Sequence, residues 1–101
     1  MVQAVENLTV LTTRLIESGP CPRLAGWDRV VVDVLGAEPV PGYADLLSQR
    51  VGERLEMGVL HELMQGVAPG ATIRLRARLA LGEVMAESHP APGSFTVEPP
   101  S

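Results

Sequence analysis

Residues 72–81, TIRLRARLAL, alternate apolar and polar positions without a break. Ile73, Leu75, Ala77, Leu79 and Leu81 fall on one face, and Thr72, Arg74, Arg76, Arg78 and Ala80 on the other. A period of two over this length predicts a β-strand with one buried face. Residues 27–38 follow the same rule. Val30, Val32 and Val34 point one way, and Arg29, Val31, Asp33 and Leu35 the other. Valine on both faces predicts cover on both sides of that strand, and Gly36 marks a bulge or sharp bend.

Residues 1–6 are a short lead-in. The pattern over 8–17 is mixed: Leu8, Val10 and Ile16 share one strand face and Leu11 and Leu15 the other, but Val5, Leu8, Leu11 and Leu15 would also line a helix. Thr9, Val10, Thr12 and Thr13 decide for a strand, because side chains stiff at χ1 fit a pleat better than a helix. Residues 18–26, with two prolines, two glycines and a serine, form a loop. The first two strands thus make an antiparallel hairpin with an enlarged turn.

The segment 44–66 has two readings. As one helix its apolar positions scatter around the wheel, and Gly52 and Gly58 would each cost about 1 kcal/mol relative to alanine. Split, it becomes a strand over 51–59, followed by a short helix over 60–66 in which Val59, Leu60, Leu63, Met64 and Val67 form the apolar stripe. The split reading is preferred. Gly66 and Pro69-Gly70 lead into the strand 72–81, and Gly82 makes a tight hairpin with a fifth strand over 83–87. The Pro-rich segment 90–101 is a tail with one short pairing at 95–97.

The expected fold is therefore mainly β, in a single domain over 1–89. The order strand, strand, strand, short helix, strand, strand resembles the OB-fold, a five-stranded Greek-key barrel with a helix between its third and fourth strands. A single helix over 44–66 would instead give an α+β fold of order ββαββ.

Composition narrows the chemistry. The 101 residues carry a net charge of −4, which disfavours a general nucleic-acid or anionic-membrane binder. All eight basic residues are arginine, so no lysine is present for a Schiff base or a phosphate loop. The aromatics are Trp27, Tyr43 and Phe95 alone, so the core must be aliphatic. The single cysteine, Cys21, rules out an intramolecular disulfide and a multi-cysteine zinc site. No apolar run reaches the roughly 20 residues of a membrane helix, and the N-terminus lacks the pattern of a signal peptide. The expected location is cytoplasmic.

Several residues stand out as candidate binding groups. Arg74, Arg76 and Arg78 form a cationic row that can clamp phosphates or carboxylates, or pair with Glu83, Glu87, Glu53 or Glu56 on neighbouring strands. The local supply of acids favours pairing. Trp27, Tyr43 and Arg29 are the first suspects for lining a pocket, although ordinary packing explains them more simply. Cys21 between two prolines offers a thiol, but no base or second cysteine lies near it in sequence. His61 and His89 show no metal-site spacing with it. No nucleophile–base pair, phosphate loop or metal signature is present, so no catalytic residue, metal or cofactor is expected. The resulting expectation is a non-catalytic binding or accessory module that works through a protein partner or a homo-oligomer. Single-stranded nucleic-acid binding comes second, because Trp27 and Tyr43 are the only stacking platforms on an acidic chain. A small-molecule-pocket enzyme comes third.

Overall fold

A computed structural model describes residues 6–100. The lead-in, apart from Glu6, and the expectation of no signal peptide fall outside the described residues. Among the described residues there are six strands: β1 (Thr9–Pro20), β2 (Trp27–Pro39), β3 (Arg54–Leu60), β4 (Thr72–Ala80), β5 (Glu83–Ala86) and β6 (Thr96–Glu98). The sheet runs β1-β2-β3-β5-β4, and β4 pairs back onto β1 to close a five-stranded barrel. All pairings are antiparallel except β3 with β5, which is parallel and two residue pairs long. Strand β6 lies outside the barrel on the start of β4, where Thr72, Ile73 and Arg74 face Glu98, Val97 and Thr96. The mainly β class and the five-stranded barrel are those expected from the alternation pattern.

The alternation also identifies the inner face. Val30, Val32 and Val34 of β2 and Ile73, Leu75 and Ala77 of β4 are almost completely buried. With Leu11 and Leu15 of β1 they fill a core without a buried aromatic, as the composition requires. Strand β1 turns Thr9, Leu11, Thr13 and Leu15 inward, and its two buried hydroxyls are partnered. Thr13 Oγ1 donates to the Ile73 carbonyl at 2.9 Å, and Thr9 Oγ1 to the Asp45 carboxylate at 2.9 Å. Buried hydroxyls cost little when bonded in this way.

Two bulges bend the β1–β2 ladder. The pairing steps from Thr12 opposite Gly36 to Thr13 opposite Val34, and from Leu15 opposite Val32 to Glu17 opposite Val31. Leu35 and Ile16 are the extra residues. Each bulge sharpens the local twist and lets two long strands curl around a small core. The first sits beside Gly36, where the glycine predicted it.

Elsewhere the structure corrects the sequence reading. Strand β1 continues to Pro20, so the loop shortens to 21–26. Residues 44–66 are not one helix, because Arg54–Leu60 pairs along β2 from Asp33 to Trp27. The expected helix over 60–66 is a single 3₁₀ turn, His61–Met64, which tucks Met64 into the core. Alternation puts Leu81 on the buried face of the fourth strand, but it lies beyond the end of that strand, in the β4–β5 turn, and is fully exposed (103%).

Closure between β1 and β4 depends on a side chain. The backbone ladder between them ends at Thr9 opposite Ala77. Asn7, just before β1, continues it with its carboxamide: Oδ1 accepts from the Leu79 N–H at 2.8 Å and Nδ2 donates to the Leu79 carbonyl at 3.0 Å. The same residue bridges to Ala44 through its backbone.

The β2–β3 connection is held at Asp45. Its carboxylate accepts from the Thr9 hydroxyl and from the N–H groups of Leu47 (3.3 Å) and Ser48 (3.1 Å), at the head of a 3₁₀ turn, Ser48–Arg50. Hydrogen bonds from Ser48, the Thr9 hydroxyl and the Leu47 amide outweigh a small desolvation cost and hold Asp45 below the usual carboxylate range. A lowered carboxyl favours the folded state above the unfolded-state value, and that contribution is lost as pH falls through the folded-state value. Wild type should therefore lose stability relative to Asp45→Asn as pH drops below about 4. Parallel urea titrations of the two proteins between neutral and acid pH measure the difference. An unchanged gap would show that the ionised carboxylate is not what holds this connection.

Candidate binding cleft

The arginine row on the outer face of β4 divides. Arg76 forms a forked pair with Glu87, Nε to Oε1 at 2.7 Å and Nη2 to Oε2 at 3.1 Å. Arg74 reaches across β1 to Glu38 at 3.4 Å. Arg78 has no acid within ion-pair distance among the described residues. Of the acids expected to hold the row, Glu87 does so, whereas Glu83, Glu53 and Glu56 serve Arg23, Arg50 and Arg29. The Arg76–Glu87 side chains are only 28% and 16% exposed, whereas those of Arg74 and Glu38 are 44% and 69% exposed. Arg76→Met should cost about 1–2 kcal/mol because it strands a mostly buried carboxylate. Arg74→Met should fall within about 0.5 kcal/mol of wild type. Thermal melts of the two variants separate the cases.

A cleft of about 700 Å³ lies between the β1–β2 loop, strands β3 and β5, and the β4–β5 turn. Three outward positions on adjacent strands shape its floor. Trp27 starts β2, Gly58 lies on β3, and Met85 lies on β5 opposite Gly58. Gly58 is there because the floor is closed over its backbone. A Cβ at that position would lie 2.9 Å from both Sδ and Cε of Met85 and 3.6 Å from the Trp27 ring. Leu24, on the loop, contributes another apolar surface.

Charged groups rim this floor in pairs. Arg23 of the loop is bonded to Glu83 at the start of β5, which ties the loop to the β4–β5 hairpin. Arg29 is bonded to Glu56 on β3 and lies 3.4 Å from Glu17 on β1. The hydrogen bond and charge of Glu83 raise Arg23 above its ordinary value, and those of Glu56 do the same for Arg29. Each guanidinium group is thus already engaged by a carboxylate of the same chain. A smaller hollow of about 220 Å³ adjoins the cleft across Trp27 and Met85, lined by Arg78, Ala86, Glu87 and Ser88.

Trp27 and Arg29 therefore stand together in the cleft and Arg78 stands next to it. Arg74 and Arg76 point to acids outside it. Tyr43 lies in the β2–β3 connection, its N–H bonded to the Val40 carbonyl, and is not part of the cleft. Cys21 lines the cleft as well, with neither histidine among the lining residues. His61 Nδ1 sits 2.9 Å from the buried Asp28, and His89 contacts Ser88. Among the described residues no group of three or more His, Cys, Asp or Glu side chains is placed to hold a metal ion, and no helix is long and apolar enough to cross a membrane.

Sequence reading missed Met85, Leu24 and Gly58. Only the glycine left a signal: an isolated glycine within a strand pattern marks a close approach of other groups to the backbone. Gly58→Ala tests this packing. The added methyl meets only the flexible end of Met85, so the stability loss should stay near 1 kcal/mol while the cleft floor rearranges. Trp27 is the only tryptophan, so a shift in its emission with little change in melting temperature is the expected result.

Compared with known proteins, the chain matches no family model, no curated protein and no solved structure.

Proposed function

We propose that this chain is a non-catalytic binding module of the OB-like class, and that the cleft over Trp27, Gly58 and Met85 takes an apolar segment of a protein. The strand order supports the OB-like reading. In such barrels the face of the second and third strands, between the first and fourth loops, is the usual ligand surface, and the cleft lies there. The observation that carries the proposal is the match of an apolar floor with neutralised charge. Arg23 and Arg29 are each engaged by a glutamate, while tryptophan, methionine and leucine provide the accessible surface. Tryptophan anchors and adaptable methionines are typical of protein-binding surfaces. A single-stranded nucleic acid needs free cations along a groove and several stacking platforms, and the cleft supplies one aromatic ring on a chain of net charge −4.

The chain carries two unique reporters at this site, Trp27 and Cys21. Peptides selected from a displayed random heptapeptide library should be rich in apolar residues, shift Trp27 emission and protect Cys21 from a thiol reagent. A fluorescein-labelled oligothymidylate should not bind even at low salt. Salt-sensitive oligonucleotide binding, or peptides that bind without affecting either reporter, would overturn the reading.

A further inference from the structure

The β4–β5 hairpin turn is built from Leu81 and Gly82, with Ala80 paired to Glu83 on either side. Both central residues are left-handed, with φ of +52° for Leu81 and +78° for Gly82. Tight two-residue hairpin turns of this kind favour Asn-Gly or Asp-Gly, because a short polar side chain tolerates the left-handed region. Leucine gains nothing there, and its side chain is fully exposed (103%). Arg78, on the same hairpin about 10 Å back along the strand, has no acid partner among the described residues. The hairpin thus presents an unburied apolar tip and an uncompensated cation.

The cleft presents the complement. Its floor is apolar, and its volume of about 700 Å³ suits a turn rather than a lone methyl group. On one side of its rim an acid is in excess, because Arg29 serves both Glu17 and Glu56, whereas Arg23 and Arg50 each serve one acid, Glu83 and Glu53. Gly82 and Glu83 of the hairpin themselves line the cleft. Tip and socket therefore lie side by side on one surface. A two-fold axis between them lets each of two copies give one tip and receive the other, as an isologous contact requires.

We propose that the occupant of the cleft is a second copy of this chain. Leu81 of each copy seats on the Trp27–Met85 floor of the other, and Arg78 approaches the Glu17–Glu56 side of the facing rim. This assignment rests on the cleft being the binding surface.

Sedimentation velocity over a wide concentration series tests it, with Trp27 emission recorded on the same samples. Wild type should pass from monomer to dimer as concentration rises, with a parallel change in Trp27 emission. Leu81→Asn installs the residue that the turn prefers, so its monomer should melt at or above the wild-type temperature. Its dimer should weaken by about tenfold or more. Arg78→Glu should weaken the dimer too, and adding Glu17→Arg in the same chain should restore part of the loss. A folded monomer at every concentration, or a dimer indifferent to Leu81→Asn, would overturn the assignment. If library-selected peptides still shift Trp27 in such a monomer, the cleft reading survives and only the occupant is wrong. If they do not, both fail.

Discussion

Replacing Leu75 by alanine is expected to destabilise the protein by about 3–4 kcal/mol. Leu75 lies at the middle of β4 and is 1% exposed, facing the barrel interior. The loss combines the transfer free energy of the removed methyl and methylene groups with the cost of the cavity they leave. A closed barrel makes the second part large. Strand β4 is held by β1 on one edge and by β5 and β6 on the other, so the backbone has little freedom to collapse inward. The fully buried core is built of aliphatic side chains, with Phe95 packed only against its outside. Ile73→Val, two residues away on the same face, should cost only about 1 kcal/mol and serves as the graded control. Differential scanning calorimetry should show a fall in melting temperature of roughly 15–25 °C for Leu75→Ala in a domain this size. A loss below about 1.5 kcal/mol would mean that the interior relaxes far more than the ladder implies.

The second large effect is expected at Asn7. Its carboxamide acts as one residue of strand, giving a donor and an acceptor to Leu79 where the β1 backbone has already left the ladder. Asn7→Leu keeps a similar volume but removes both bonds, leaving the Leu79 N–H and carbonyl unpaired at a part-buried seam. Each unsatisfied buried group costs about 1–3 kcal/mol, so a total near 3 kcal/mol is expected. Urea denaturation should show a lower midpoint with an unchanged slope. A loss smaller than about 1 kcal/mol would show that water replaces the carboxamide at the seam.

How much of this was legible in the sequence depends on the range of the interaction. Alternation read β2 and β4 correctly because burial on one side acts residue by residue along a strand. Gly36 foretold a bulge because the glycine effect is local. Alternation misplaces Leu81 because the pattern continues past the point where the chain turns. A two-residue hairpin leaves Gly82 as the visible breaker, although Leu81 already belongs to the turn. The helix expected over 60–66 shrank because its spacing fits one turn as well as two, and His61–Met64 needs only one turn to bury Met64. Of the residues that the sequence singles out, Trp27, Arg29 and Cys21 line the cleft. Its remaining parts come from Leu24, Gly58 and Met85, on segments brought together only by barrel closure. Which glutamate serves which arginine was equally hidden, because Arg23 and Glu83 are 60 residues apart.

The parallel contact between β3 and β5 has a dynamic consequence. Around the barrel, β1 and β2 share a ladder from Thr9 to Pro20, whereas β3 and β5 meet only at Met57–Val84 and Gly58–Met85. The junction is the shortest seam of the barrel, shorter than the four-pair β4–β5 ladder, so the ring opens there at the lowest cost in interstrand bonds. Gly58 and Met85 belong both to this junction and to the cleft floor. A molecule seated on the floor bridges the weakest point of the ring, and its binding energy is then spent partly on damping the barrel's own breathing.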